Sequence, residues 1–419
     1  MIKRRLLKQL KNHLSQKEIT LLIGPRQAGK TTLLKKIESD LKKQGQKTLF
    51  LNLDIDTDAQ FFSSQQKLVK KINQEFGKDK GYVFVDEIQR KLNAGIFLKG
   101  LYDRDLPYKF IVSGSGSVEL KESVRESLTG RKRLFFLNTV SFSEFVDHAT
   151  DYKYSKNLSS YLAEDQIFNK QLLAEYLRFG GYPRVVIEPK AEEKRLHLHE
   201  IYQSYLAKDI ALLLGIQKTT ALTNLIRLLA DKIGSIFKYS TASNLLNISY
   251  PTLQNYLWVL ENTFIIKEVK PFHQNLVTEL KKAPNYYIYD LGLRNMILEN
   301  FGPINKNSEM GMLFQNFIWR LLTDDSPPAT QQLNYWRTKQ QAEVDFILKK
   351  GNQLLPVEVK YKKLKKNTIT YGLRKFIKEY QPQKAVIINL SRKEQIIESN
   401  TKIYFIPYYE LVNRSVWNI

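Results

Sequence analysis

Gly24-Pro25-Arg26-Gln27-Ala28-Gly29-Lys30-Thr31-Thr32 is the stretch on which the reading of this chain turns. Its glycines, lysine and threonine fit the phosphate-loop pattern at every fixed position. The apolar run Ile19-Thr20-Leu21-Leu22-Ile23 precedes it, and Thr31 to Leu41 continues with helical spacing. Strand, loop, helix is the context the motif demands. Glycines there let backbone N–H groups converge on phosphates at a helix N-terminus. Every residue from Gly24 to Thr32 is therefore a nucleotide-binding candidate. Lys30 brings a positive charge to the β- and γ-phosphates, and Thr31 offers a hydroxyl to Mg²⁺, so ATP and Mg²⁺ are the expected cofactors.

Working outward, Tyr82-Val83-Phe84-Val85 is an apolar strand that carries Asp86 and Glu87 to its C-terminal end. Ligands of α/β sheets bind at that end. Asp86 is expected to hold the metal through water, and Glu87 to act as general base on the attacking water. Lys109-Phe110-Ile111-Val112 is a further strand, ending in Ser113-Gly114-Ser115. Ser113 or Ser115 is the candidate to sense the γ-phosphate or orient the water. Beyond it, Ser127-Leu128-Thr129-Gly130-Arg131-Lys132-Arg133 leads into Leu134-Phe135-Phe136-Leu137, and an arginine there is placed to serve a neighbour's γ-phosphate. With Thr48 to Leu53, these short apolar runs joined by helices predict a doubly wound parallel sheet over residues 1–150.

Residues 151–235 read as a helical lid, broken at Gly180-Gly181-Tyr182-Pro183. Residues 236–305 hold a helix-turn-helix. Ser240 and Ser249 are its expected N-caps, Pro251 falls in the first turn of its second helix, and Leu253, Tyr256, Leu257 and Leu260 form a buried stripe. Thr263 to Lys267 starts a wing. The unit looks like a winged helix, which would turn Tyr250, Thr252, Gln254 and Asn255 toward a DNA groove.

Residues 306–419 return to α/β character. Ala342 to Leu348 and Leu354 to Lys360 read as a hairpin around Gly351-Asn352. Side chains alternate along a strand, so Glu358 and Lys360 share a face, with Asp345 on the partner strand. Two carboxylates and a lysine there suit Mg²⁺ and phosphodiester cleavage. The pattern resembles the PD-(D/E)XK nuclease fold. Relatives add an acid from a preceding helix; here Gln315 stands at that place, with Glu309 as a substitute.

The chain has 65 Lys and Arg against 42 Asp and Glu, a formal charge of +23. That balance favours a polyanion, DNA above all, because basic patches release counterions from phosphate. The run Lys360-Tyr361-Lys362-Lys363-Leu364-Lys365-Lys366 suits a phosphate backbone. With no cysteine, disulfides, thiol catalysis and cysteine-based zinc sites are excluded, and a reducing cytoplasm is expected. None of the five histidines pair at metal-ligand spacing. No apolar run reaches the ~20 residues of a membrane span, and the basic start Met1 to Lys8 lacks a signal-peptide core.

Together, the phosphate loop with Leu33-Leu34, Val85-Asp86-Glu87-Ile88-Gln89, Ser113-Gly114-Ser115, Leu128-Thr129-Gly130-Arg131 and Gly180-Gly181-Tyr182-Pro183 resemble a large prokaryotic family of AAA-superfamily ATPases with a C-terminal domain of unknown function. The resemblance implies an AAA-type P-loop fold, makes Arg131 the favoured finger, and so implies a homo-oligomer, such as a hexameric ring. Ser113 departs from the family's usual threonine but keeps the hydroxyl. Three functions are compatible with this reading: an ATPase acting on DNA, an ATP-gated switch with a protein partner, and an ATP-regulated metal-dependent nuclease.

Overall fold

The computed structural model describes residues 1–77, 79–115, 128–204, 220–273, 282–302, 307–324 and 332–419. Ser127 of the expected finger segment lies outside them. The N-terminal sheet is all parallel, in the order β2-β3-β4-β1-β5: β1 is Ile19–Gly24, β2 Thr48–Asn52, β3 Gly81–Asp86, β4 Tyr108–Ser115 and β5 Lys132–Phe136. The inner strands β3, β4 and β1 are buried along almost their whole length because both faces are covered. Ile19, Leu21 and Ile23 join one core with Val83, Val85 and Val112, whereas Leu22 meets Leu33, Leu34, Phe84 and Ile111 on the other side. The parallel register brings the ends of the strands together: Gly24 lies beside Ser115, and Asn52 beside Asp86.

After β5 the chain turns through a capping box, in which Ser141 and Glu144 satisfy each other's backbone amides, into helix Phe142–Ala149. Helices Leu158–Glu164, Gln166–Phe179, Pro183–Ile187, Ala191–Ser204 and Thr220–Asp231 come next. The break expected at Gly180 is present. Helices Tyr239–Leu246 and Tyr250–Asn262 then lead to a two-stranded wing, β6 Ile266–Val269 paired with β7 Asn285–Ile288. Ser249 caps its helix as expected. Ser240 does not: the first helix begins two residues earlier than that cap would set it, at Tyr239, and its N-cap position is Lys238, with no side-chain cap. The expected stripe of Leu253, Tyr256, Leu257 and Leu260 is buried.

Helices Leu291–Ile297 and Asn307–Asp324 precede a six-stranded mixed sheet in the order β12-β13-β11-β10-β9-β8. Its strands are β8 Gln332–Arg337, β9 Glu343–Lys350, β10 Gln353–Val359, β11 Lys384–Asn389, β12 Glu394–Glu398 and β13 Thr401–Pro407. One apolar core runs from Val140 through the lid, the helix-turn-helix and helix Asn307–Asp324 to Val416. Phe142 meets Phe317 edge-on at 5.1 Å within it. Among the described residues no helix is long and apolar enough to cross a membrane.

A single buried carboxylate joins the lid to helix Leu291–Ile297. Asp290 accepts hydrogen bonds from Gly181 N–H at 2.8 Å and from Leu293 N–H at 3.1 Å. The two segments meet there with no room for a methyl group. A Cβ on Gly180 would lie 2.0 Å from Asp290 Oδ1, and one on Gly292 would lie 2.0 Å from the Phe179 carbonyl oxygen. Burial raises the Asp290 carboxyl above its ordinary range, and the two N–H donors pull it back. Replacing Asp290 with alanine strands both amides, at a cost of about 1–3 kcal/mol each. A large drop in thermal unfolding temperature is the expected outcome for Asp290→Ala, and an unchanged melting curve would contradict this account of the junction.

Candidate functional site

Gln27 and Gly29 both take left-handed backbone angles, φ 56° and 93°, which folds the loop after β1 into a cup lined by N–H groups. Gly24 has to be glycine for a different reason: a Cβ there would stand 2.0 Å from the Leu137 carbonyl oxygen. The Lys30 ammonium donates to the carbonyls of Gly24 (3.0 Å) and Pro25 (2.8 Å) across the loop. From outside, the Arg4 guanidinium clamps the same loop, donating to the carbonyl of Ala28 at 2.9 Å and of Asn138 at 2.7 Å while paired with Glu144 at 3.0 Å. Pro183 stands nearby, its Cγ 3.8 Å from where a Cβ on Gly29 would lie. Nothing in the local pattern of the sequence marks Arg4. Its partners lie 24, 134 and 140 residues away.

Asp86 is buried at the end of β3. Its Oδ2 accepts the Thr31 hydroxyl at 2.6 Å, and its Oδ1 accepts the Ser113 hydroxyl and the Glu87 N–H, the latter at 3.2 Å. Thr31 and Asp86 are thus brought together as expected. A hydroxyl and a carboxylate are hard oxygen donors that fit Mg²⁺, so these two side chains would hold it beside the phosphates. The sequence directs Ser113 at the γ-phosphate or the attacking water. Its hydroxyl donates to Asp86 Oδ1 in this structure. Ser115, the other candidate, donates its N–H to Gln89 Oε1 at 3.1 Å. Glu87 stands next in a left-handed conformation, φ 57°, with its carboxylate bonded by the Gln89 amide. Non-glycine residues held there carry strain that clusters at functional sites.

Arg131 sits at the other end of the sheet. Its carbonyl accepts from Ile19 N–H at 2.9 Å, and its guanidinium pairs with Asp103 at 2.6 Å. The six residues of β1 separate it from its own phosphate loop. At about 3.3 Å per residue that is about 17 Å, out of reach within one subunit.

The hairpin of β9 and β10 likewise assembles its expected trio. Lys360 Nζ donates to Glu358 Oε1 at 2.7 Å, and Asp345 accepts from Val359 N–H at 2.7 Å. Gln315 fills the place of a third acid: its Nε2 donates to Asp345 Oδ1 at 2.8 Å. Glu309, the expected substitute, is turned elsewhere, bonded to the buried Arg294 at 3.1 Å and to Asn300 at 2.9 Å. Among the described residues no three acidic, histidine or cysteine side chains gather in a way that could hold a metal. Burial, then the adjacent Glu358 carboxylate, pushes Asp345 up to about 8.

On the helix-turn-helix, Tyr250, Gln254 and Asn255 are exposed and Thr252 is half-buried. Some of their polar capacity is used locally: Gln254 donates to the Tyr250 hydroxyl at 2.7 Å, and Ser249 and Thr252 share a hydrogen bond of 2.8 Å. The segment from Tyr239 to Leu260 is uncharged and exposes Leu245, Tyr250 and Trp258 at 70%, 48% and 41%.

Comparison with known proteins agrees with the motifs. Residues 16–146 match the AAA domain family, 170–303 a domain of unknown function (DUF8612), and 310–411 another (DUF4143). Similar chains are uncharacterised proteins of Haemophilus influenzae (27% identical, 82% of each chain), Mycobacterium tuberculosis (25%, 84% of this chain and 72% of that) and Methanocaldococcus jannaschii (25%, 72% and 67%). Two solved structures overlap part of the chain. AMPPCP-bound DnaA from Aquifex aeolicus does so at 18% identity, 61% of this chain and 86% of that one, with a TM-score of 0.26. The replication initiator DnaA bound to AMPPCP and single-stranded DNA does so at 15%, 62% and 90%, with a TM-score of 0.27. Residues 16–146 are thus similar to an AAA domain, and residues 310–411 to a domain of unknown function.

Asp345 gives a pH test. Its carboxyl binds a proton more tightly in the folded chain (about 8) than an unfolded aspartate does (about 3.9). Its contribution is therefore complete below pH 4 and is lost as pH rises toward 8. In urea unfolding between pH 4 and 8, the stability of the native protein relative to Asp345→Asn should fall as pH rises, whatever constant offset the substitution adds. Parallel profiles would refute the assignment.

Proposed function

We propose that this AAA-domain chain hydrolyses ATP to ADP and phosphate. The contact that carries the reading is Thr31 Oγ1 to Asp86 Oδ2 at 2.6 Å, which closes a gap of 55 residues and joins the phosphate loop to the acidic strand end. In this reading the loop amides and Lys30 bind the phosphates, Thr31 and Asp86 hold Mg²⁺, and Glu87 takes the proton of the attacking water. Bound Mg²⁺ supplies charge neutralisation at the phosphate oxygens. Arg131 is too far from its own site, so as a finger it would serve a neighbouring subunit, and the working unit would be an oligomer.

Nucleic acid is the partner we infer. The charge of +23 supports it, as do the exposed Lys349, Lys350, Lys362, Lys363, Lys365 and Lys366 around the C-terminal hairpin. Phosphate contacts of this kind give binding that falls steeply with salt. The neutral face bearing Leu245, Tyr250 and Trp258 favours a second reading, an ATP-gated contact with a protein, because phosphate binding draws chiefly on Lys and Arg. The C-terminal domain is proposed to bind without cutting, since Gln315 stands where a third acid would complete the metal ligands.

In a turnover assay Lys30→Ala should abolish activity, and Glu87→Gln should lower it about 10²- to 10⁴-fold while still binding ATP. Native rates in either variant would remove that residue from its role. Arg131→Ala mixed with Glu87→Gln should regain activity that neither has alone; no recovery would count against a finger in trans. Adding single-stranded, duplex or branched DNA should stimulate turnover, less so as salt rises. A flat response would transfer support to the protein-partner reading. Mg²⁺- or Mn²⁺-dependent cleavage that disappears in Lys360→Ala would overturn the non-cutting assignment.

A further inference from the structure

Gln89 lies on the 3₁₀ turn Ile88–Arg90, just past the acidic strand end. Its side-chain amide is used at both ends. Nε2 donates to Glu87 Oε2, and Oε1 accepts the Ser115 N–H at 3.1 Å. A backbone N–H can only donate and a carboxylate can only accept, so the chemistry of the two partners settles which way the amide points. Glutamate at this position would lose the donor and face Glu87 with a like charge. A hydrocarbon side chain would lose both bonds. Ser115 is itself paired with Gly24, the first residue of the phosphate loop. The amide therefore spans from the end of β3 to the strand that flanks the loop.

We propose that Gln89 is a positioning residue for hydrolysis: it fixes Glu87 Oε2, leaves Oε1 to take the proton of the attacking water, and tethers that carboxylate to Ser115 beside the phosphate loop. The proposal rests on the reading of Glu87 as general base in an ATPase. Glu87 needs such a tether because its backbone occupies a left-handed conformation that the side chain alone does not favour. A carboxylate free to rotate there would spend much of its time misaligned, and misplacement on the ångström scale costs up to about 10²-fold in rate.

The test uses the full chain with Gln89→Met, which keeps the bulk and loses both bonds, and Gln89→Glu, which keeps only the acceptor toward Ser115. Steady-state turnover is measured alongside equilibrium binding of a fluorescent ATP analogue and thermal unfolding. Both variants should lose roughly 10- to 100-fold in kcat, with KM and analogue affinity within about twofold of the native values. Combined with Glu87→Gln, Gln89→Met should add little further loss, because it acts through that side chain. An unchanged kcat, a loss confined to binding, or full additivity with Glu87→Gln overturns the proposal. The ATPase reading fails separately: it falls if the native chain shows no turnover that Lys30→Ala removes, and the proposal then falls with it.

Discussion

A carboxylate taken out of water needs donors, and Asp86 obtains three from three places in the chain. Thr31 comes from the helix behind the phosphate loop, Ser113 from the neighbouring strand, and the Glu87 amide from the turn just beyond. Each bond constrains a different element. The loop cannot drift from the sheet without breaking the first, and β4 cannot slip against β3 without breaking the second. Leaving such a group buried and unpartnered costs far more than a typical bond returns. The parallel register supplies the means, since it ends β1, β3 and β4 at one edge.

The parts of this arrangement that are legible in the sequence are those whose chemistry is local. The phosphate loop announces itself because backbone geometry needs Gly24 and Gly29 at fixed spacing. Asp86 and Glu87 stand out because two acids end an apolar strand. The hairpin trio is legible because alternation along β9 and β10 settles which side chains share a face. The hidden parts depend on contacts between distant segments. Arg4 looks like one more basic residue at a basic terminus until it is seen holding Ala28, Asn138 and Glu144. Ser113 and Ser115 are both visible as polar residues at a strand end, but only the structure shows that one serves Asp86 and the other meets Gln89. Glu309 fails as a substitute acid because the buried Arg294 claims it, a pairing no helical periodicity reveals.

The same distinction applies to the helix-turn-helix. Its helices, proline placement and buried stripe accord with pattern, and a short strand, Ile266–Val269, follows them. Pattern speaks to the buried side, however. The outward side is a separate matter of composition, and here it is neutral and aromatic in a chain that is otherwise strongly basic. Fold and partner are therefore independent questions in this unit.

The contacts at Gly180, Gly181 and Gly292 have a mechanical meaning. A Cβ on Gly181 would stand 2.1 Å from the Val140 carbonyl oxygen, so this seam is as closely packed as its neighbours on either side. Protein interiors compress little, and a seam without slack passes displacement on instead of absorbing it. Pro183 stands near the phosphate loop at one end of that seam, and Asp290 stands at the other, ahead of helix Leu291–Ile297. Those glycines leave the turn no slack with which to absorb a shift at either end.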